Sequence, residues 1–311
     1  MRLIYIEKVK WSGKSLLVFF LFVNYLTYGQ EKQYPDGHGS IVKLPQGDIS
    51  FADTVISYKA GNPAPIKHNS NPQDALGIPN FRADSISGFV SLGVGGELVL
   101  AFINNALINI PGPDLYVFET GRYVEETFLY VSKDANKWIS VGKIKGGNAL
   151  VDIGDSTQVG DIFRYIKLID AKTKSNDSKW PGADIDAVAA IGSAKQIALN
   201  ATYLFNTNQA VLKPKAKEGL NKIAEELNAL TNYSIVINGH CDSTGNKANN
   251  KLLSNNRAIS VKDYLQNKLR DKQIIITCHG YSDEYPLATN ITPEGRERNR
   301  RVEIYIVPNT K

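Results

Sequence analysis

Gly239-His240-Cys241-Asp242-Ser243-Thr244-Gly245, and then Asn250-Lys251-Leu252-Leu253-Ser254-Asn255-Asn256-Arg257-Ala258, decide how the last third of this 311-residue chain is read. The first run closes an apolar stretch, 234–238, whose Ile and Val residues suit a strand. Residues 242–250 form a polar loop. Ser254 is a suitable N-cap, and Ala258, Val261, Leu265 and Leu269 then repeat at helical spacing. Working outward, 203–205 reads as a short strand, and Pro214 fits the first turn of a helix that runs to about 230. Leu220, Ile223, Leu227 and Leu230 form its apolar face. Further strands are expected at 274–277 and 301–307, the latter with Val302, Ile304 and Ile306 on one face and Glu303 and Tyr305 on the other. The order is βαβαββ, an α+β domain with two helices on one face of a mixed sheet.

These residues resemble the OmpA-like peptidoglycan-binding family, whose pattern is GHTDxxG followed by NxxLSxxRAxxVxxYL. The resemblance continues through Val261, Tyr264 and Leu265, includes Gly280-Tyr281, Pro286 and Asn290, and closes with Gly295-Arg296-Glu297-Arg298-Asn299-Arg300-Arg301-Val302-Glu303. It covers residues 199–308. Cys241 stands where the pattern has Thr, and Asn206 where Asp is common. The resemblance implies non-covalent binding of peptidoglycan through the diaminopimelate of its stem peptides, a zwitterion that needs one anion and one cation at fixed separation. Asp242 would take the ammonium and Arg257 the carboxylate in a solvent-facing site, with Asn250 in support and Arg300 at the rim. With Ser254 as N-cap, Arg257 is the third helical residue, so a helix N-terminus would add to its guanidinium fork. An ordinary pairing of Asp242 with Arg257 is the structural alternative.

Residues 31–195 carry a different pattern. Short β-type runs (96–102, 114–119, 127–132, 138–141, 163–169) alternate with turn signals such as Pro111-Gly112-Pro113-Asp114 and Gly146-Gly147-Asn148. This reads as an all-β sandwich or jelly roll. Phe51-Ala52-Asp53, Gly61-Asn62-Pro63-Ala64-Pro65, Asp114-Leu115-Tyr116-Val117-Phe118-Glu119 and Pro181-Gly182-Ala183-Asp184-Ile185-Asp186-Ala187-Val188 resemble a galactose-binding-like module of bacterial surface proteins. That resemblance implies a glycan or an envelope protein as partner, and a structural Ca²⁺. Asp114, Glu119, Asp184 and Asp186 are the oxygen ligands to try, against the plainer reading that they cap turns and strand ends. Trp138 and Trp180 are candidates for sugar stacking or for the core.

The chain is 42% hydrophobic and 22% charged, a globular composition. Lys and Arg number 4 against one Glu in 1–30, 16 against 19 acids in 31–195, and 16 against 11 in 196–311. This is not the dense basic stripe of a nucleic-acid binder. No GxSxG, HExxH or P-loop is present. A non-enzymatic envelope tether is the expectation, and a wall-active hydrolase with a carboxylate pair in 31–195 is the alternative. Cys241 and Cys278 lie where strands run out. A disulfide between them stays open, while with His240 and His279 they lack zinc-ligand spacing.

Arg2, Lys8, Lys10 and Lys14 precede a short apolar run, 15–26, interrupted by Asn24. Thr27-Tyr28-Gly29 then supplies small residues at cleavage offsets. Residues 1–29 are therefore expected to be a signal peptide, followed by a β domain at 31–195 and an OmpA-like domain at 196–311. The periplasm, against peptidoglycan and the outer membrane, is the expected location. Protein purified from the envelope should begin at Gln30 or Glu31. An intact mass that still includes Met1 would refute processing.

Overall fold

The computed structural model describes residues 31–309, apart from 82–86, 121–124, 146–148, 173–178 and 271. The expected signal peptide and the turn at 146–148 lie outside the described residues. None of the described helices is long and apolar enough to cross a membrane.

The first half is built from β1 (Lys32–Pro35), β2 (Ile41–Leu44), β3 (Thr54–Lys59), β4 (Val90–Ser91), β5 (Glu97–Ala101), β6 (Asn105–Ile108), β7 (Leu115–Thr120), β8 (Thr127–Ser132), β9 (Ile139–Ile144), β10 (Ala149–Val151), β11 (Ile162–Phe163), β12 (Tyr165–Asp170) and β13 (Asp184–Ala190). A five-stranded sheet, β3-β5-β12-β8-β9, and a four-stranded sheet, β10-β7-β13-β4, are both antiparallel. They share one apolar core that includes Leu98, Leu100, Phe102, Leu129, Ile166, Leu168, Val117 and Val188. Every residue of β7 and β13 is buried. Their second face packs Tyr116, Phe118, Ala187 and Ala189 against Tyr34, Val42 and Leu44 of the β1–β2 hairpin. A third layer thus removes the polar alternation that a two-layer sheet would show.

The second half comprises β14 (Ser193–Asn200), α1 (Ala201–Leu204), α2 (Pro214–Asn228), β15 (Tyr233–Gly239), α3 (Lys247–Lys268), β16 (Ile276–Gly280), α4 (Pro293–Asn299) and β17 (Arg301–Pro308). Its sheet runs β11-β6-β14-β17-β15-β16, with β15 and β16 parallel and the other pairs antiparallel. α2 (Leu220, Ile223, Leu227) and α3 (Ala258, Val261, Leu265) cover one face, against Ile235, Ile237, Val302, Ile304 and Ile306. The sheet does not stop at the expected boundary of 195/196. Residues 193–195 of β14 pair with β6, and residues 195–200 pair with β17. One strand therefore serves both halves.

Two local expectations are corrected. Residues 201–204 form a helical turn capped by Asn200, not a strand, and only Phe205 makes a β-bridge, to Leu212. α3 begins at Lys247, seven residues before Ser254, with Asn246 accepting from the N–H groups of Ala248 and Asn249. Ser254 is buried inside the helix, where its hydroxyl donates to the Lys251 carbonyl (3.0 Å) and accepts from the Ser282 N–H (3.0 Å). Back-bonding of a mid-helix Ser uses the same residue type as a cap.

The sheet face away from the helices is closed by the first half of the chain. Glu303, 3% exposed, accepts at Oε1 from Arg164 Nη2 (2.9 Å), Arg301 Nε (2.7 Å) and Gln196 Nε2 (3.2 Å). Its Oε2 accepts from the Tyr305 hydroxyl (2.8 Å) and meets His240 Nε2 at 3.1 Å. Burial alone would raise the Glu303 pKa, but the charges around it, Arg301 foremost, hold it well below the carboxylate range. Burial, with Arg301, pushes His240 down to about 4, so the imidazole is neutral at pH 7 and donates Nε2–H to Glu303. Both groups bind protons less readily folded than unfolded. Their stabilisation is thus present at neutral pH and is lost on acidification. The His240 part fades below its unfolded pKa of about 6.5. The Glu303 part fades further below about 4.3. Glu303→Ala leaves two buried guanidinium groups without their anion and should cost about 3–5 kcal/mol in urea unfolding. A loss under about 1 kcal/mol, the range of exposed pairs, would show that the network is not structural.

Candidate binding site at the end of β15

β15 delivers its last residues to a loop packed directly under α3. The backbone at Gly239 and Gly280 lies so close to the helix that a Cβ would stand 2.1 Å from the Ser254 carbonyl oxygen and 2.3 Å from the Asn255 nitrogen, respectively. Only glycine allows that approach. The loop is then fixed by the Cys241 N–H to the Ser282 carbonyl (2.7 Å) and by Asn250, whose Nδ2 donates to the carbonyls of Asp242 (3.2 Å) and Thr244 (2.8 Å). Asn290 accepts from the Ser243 N–H (3.2 Å) and from Asn299 Nδ2 (2.9 Å), which ties the loop to the segment before β17.

Asp242 is 5% exposed. Oδ1 accepts from the Thr244 N–H (2.9 Å) and from the Thr244 hydroxyl, and Oδ2 is 2.5 Å from Arg300 Nη1. Burial would raise its pKa, but the Thr244 and Arg300 hydrogen bonds outweigh it and hold the carboxyl ionised. Arg257 is also 5% exposed. Its Nε donates to the Gln209 carbonyl (3.0 Å) and its guanidinium lies 5.3 Å from the Phe205 ring centroid. Nη1 and Nη2 make no hydrogen bond among the described residues, and no carboxylate there pairs with Arg257. Burial pulls its pKa down, while the nearby Asp242 charge acts in the opposite sense.

The structure thus brings Asp242, Asn250, Arg257 and Arg300 together, with three differences from the sequence reading. Arg257 is the eleventh residue of α3, so no helix N-terminus supports it. Asp242 pairs with Arg300, not with Arg257. Both central groups are buried, where a solvent-facing site was expected. Sequence reasoning missed Thr244, Gln209 and Phe205. Gln209 and Phe205 lie far from Arg257 along the chain and carry no signal of their own.

The acidic residues proposed for Ca²⁺ do not assemble. Asp114 and Glu119 sit at opposite ends of β7, about 17 Å apart at roughly 3.3 Å per residue. Asp114 accepts from the N–H groups of Ile110 and Ile153, Asp184 from the Ser91 hydroxyl, Asp186 from the N–H groups of Asn80 and Phe81, and Glu119 from the N–H of Glu125. No group of three metal-ligating side chains exists among the described residues. These acids cap turns, and the set does not fit the ion. Trp180 donates to Asn69 (3.0 Å) and Trp138 lies under Lys167 (4.4 Å), so both are half-buried. Cys241 and Cys278 are free thiols. Ile237 pairs with Cys278, which puts Cys241 four residues farther along, roughly 13 Å away and beyond disulfide reach.

Residues 204–300 match the OmpA family. Among curated relatives, Outer membrane protein A of Bordetella avium is 41% identical over 118 residues, which are 38% of this chain and 60% of that protein. Peptidoglycan-binding protein ArfA of Mycobacterium tuberculosis is 35% identical over 154 residues, 44% of this chain and 47% of that protein. The chain thus spans only about half the length of these relatives. A solved structure, the cell wall anchor of the T6SS from Pseudomonas aeruginosa, shares 31% identity over 37% of this chain and 82% of that one, with a TM-score of 0.35. The C-terminal part of the chain is OmpA-like.

A buried cation with two unpartnered nitrogens is a cost to the ligand-free fold. Arg257→Met keeps the bulk over Phe205 and removes that charge. It should raise the urea stability of the ligand-free chain by about 1–2 kcal/mol. A fall of the same size would show that the bond to Gln209 and the contact with Phe205 outweigh the buried charge.

Proposed function

We propose that residues 196–311 bind peptidoglycan non-covalently and hold the N-terminal half of the chain in the cell envelope. The observation that carries this reading is an ionised, buried Asp242 beside a buried Arg257 whose guanidinium edge has no anion. One fixed anion and one open cation suit a zwitterion, and the diaminopimelate of a stem peptide has an ammonium and a carboxylate on one carbon. Asp242 takes the ammonium. Arg257 takes the carboxylate in its planar fork, which a lysine cannot offer. Arg300, with its side chain one third exposed, neutralises Asp242 in the ligand-free state and yields or shares that carboxylate when the ammonium arrives. The OmpA-like match over 204–300 and the name of the ArfA relative support the polymer as ligand. The outer-membrane relative supports a periplasmic location. The two antiparallel sheets over one core support a galactose-binding-like fold for 31–195.

This is a binding site rather than a catalytic one, because a carboxylate held low by hydrogen bonds is a poor proton donor or acceptor near pH 7. Removing either charge leaves one end of the zwitterion desolvated and unpaired, at about 2–5 kcal/mol. That is about thirty-fold or more in affinity. Sedimentation with purified peptidoglycan should therefore fail for Asp242→Ala and for Arg257→Ala, with circular dichroism confirming the fold, and no soluble muropeptides should be released. Wild-type binding by both folded variants would place the site elsewhere.

A further inference from the structure

A cleft of about 420 Å³ lies on the sheet face away from α2 and α3. Lys133, residues 158–162 and Arg164 of the first half form one wall, and Tyr281, Tyr285, Arg301 and Glu303 of the second form the other. That volume lies within the roughly 300–1,000 Å³ of small-molecule sites. Thr277 and His279 are exposed on the edge strand β16, so the cleft opens to solvent there. Asp242 and Arg257 do not line it.

The charges that line the cleft do not cancel. Arg164 and Arg301 share one carboxylate, Glu303, at 2.9 and 2.7 Å, while Lys133 pairs with Asp161 at 2.7 Å. His240 is neutral at pH 7 and adds nothing. One positive charge is left over, and it belongs to the two guanidinium groups, both buried. Water screens a charge at that depth weakly, and a cleft with low-dielectric walls focuses its field on whatever enters. Hydrogen-bond donors reach the cleft as well. Lys133 Nζ carries three N–H groups and bonds only Asp161 among the described residues, and its side chain is 26% exposed. The hydroxyls of Tyr281 and Tyr285 make no hydrogen bond among the described residues, and neither is sealed from solvent. The two rings meet edge-on at 5.0 Å, and the Lys133 ammonium lies 5.8 Å from the Tyr285 centroid. An open cation and an apolar surface thus stand side by side.

We propose that this cleft binds a small organic carboxylate, whose oxygens accept from Lys133 and the tyrosine hydroxyls while its apolar body packs against Tyr281 and Tyr285. Arg164 and Arg301 supply the excess charge from behind. An excess of one charge suits a monovalent anion, since Asp161 and Glu303 would repel a polyphosphate. The same excess opposes a polyamine. The aromatic wall favours a ligand with an apolar body over a bare inorganic ion.

The test uses the whole chain at low ionic strength, with benzoate as probe and benzamide as its neutral counterpart of the same shape, followed by NMR titration and calorimetry. Saturable binding of benzoate is expected, at least tenfold tighter than that of benzamide. Lys133→Gln removes the open ammonium. Val159→Glu adds a carboxylate at a cleft position that is 70% exposed, so its fold is not at risk, and Val159→Gln is its uncharged control. Lys133→Gln and Val159→Glu should each weaken benzoate binding by about tenfold, the loss of about 1.4 kcal/mol, while Val159→Gln should bind as the unaltered chain does. Should Lys133→Gln fail to fold by circular dichroism, the Val159 pair decides. No benzoate binding by the unaltered chain overturns the proposal, as does benzamide binding of equal strength. Benzoate binding that survives both Lys133→Gln and Val159→Glu places the carboxylate at another cation, Arg257 included, and overturns it too.

Discussion

Glu303 accepts from Arg164 in the first half of the chain and from Gln196, Arg301, Tyr305 and His240 in the second. A carboxylate so placed is stable only while all of these groups converge on it, because an unpaired charge at that depth would be prohibitive. The requirement fixes how the two halves meet. It sets Arg164 against β17 and holds His240 neutral, with its Nε2–H donated to Glu303. Tyr305, Ala194, Ala106 and Ile108 fill the apolar part of the same junction.

The two faces of β15 have separate tasks. Towards the helices, Ile235 and Ile237 join the core. At the strand end, Gly239 lets α3 approach, and the loop turns Asp242 towards Arg300 and Arg257. Asn250 and Asn290 hold the loop backbone through side-chain amides, so the Asp242 carboxylate is preorganised before any ligand arrives. A site assembled in this way spends little ordering entropy on binding. The cost appears instead in the ligand-free state, as a buried cation that Phe205 and a single backbone carbonyl stabilise only in part.

Much of the second half was legible because its signals are local. The helix starting at Pro214 and the strands ending at Gly239 and beginning at Arg301 stand where periodicity placed them. Asp242, Asn250, Arg257 and Arg300 do converge. The failures share a cause, which is dependence on partners distant in sequence. The first five residues of α3, 247–251, are Lys, Ala and Asn residues without an apolar stripe, so the helix was read as starting at Ser254. β14 was divided by a boundary because its two neighbours, β6 and β17, lie far apart in the chain. Glu303 and Tyr305 looked like the wet side of a strand, since nothing local announces that Arg164 and Ala106 cover them. In the first half, acids at strand ends resembled ion ligands, yet each is consumed by backbone N–H groups or a hydroxyl. A capping carboxylate and a coordinating one use the same residue types.

The continuity of β14 has a mechanical consequence. Chains of two folded units commonly meet at a flexible segment, and each unit then swivels freely. Here the strand that enters the second half is hydrogen-bonded along one part of its length to β6 and along the other to β17. There is no hinge at that junction. A load applied to the first half passes into the second as shear along a ladder of backbone hydrogen bonds, which must yield together rather than one at a time. If the second half is held fast, the first is held at a set angle, as an arm clamped to a post rather than a weight on a string.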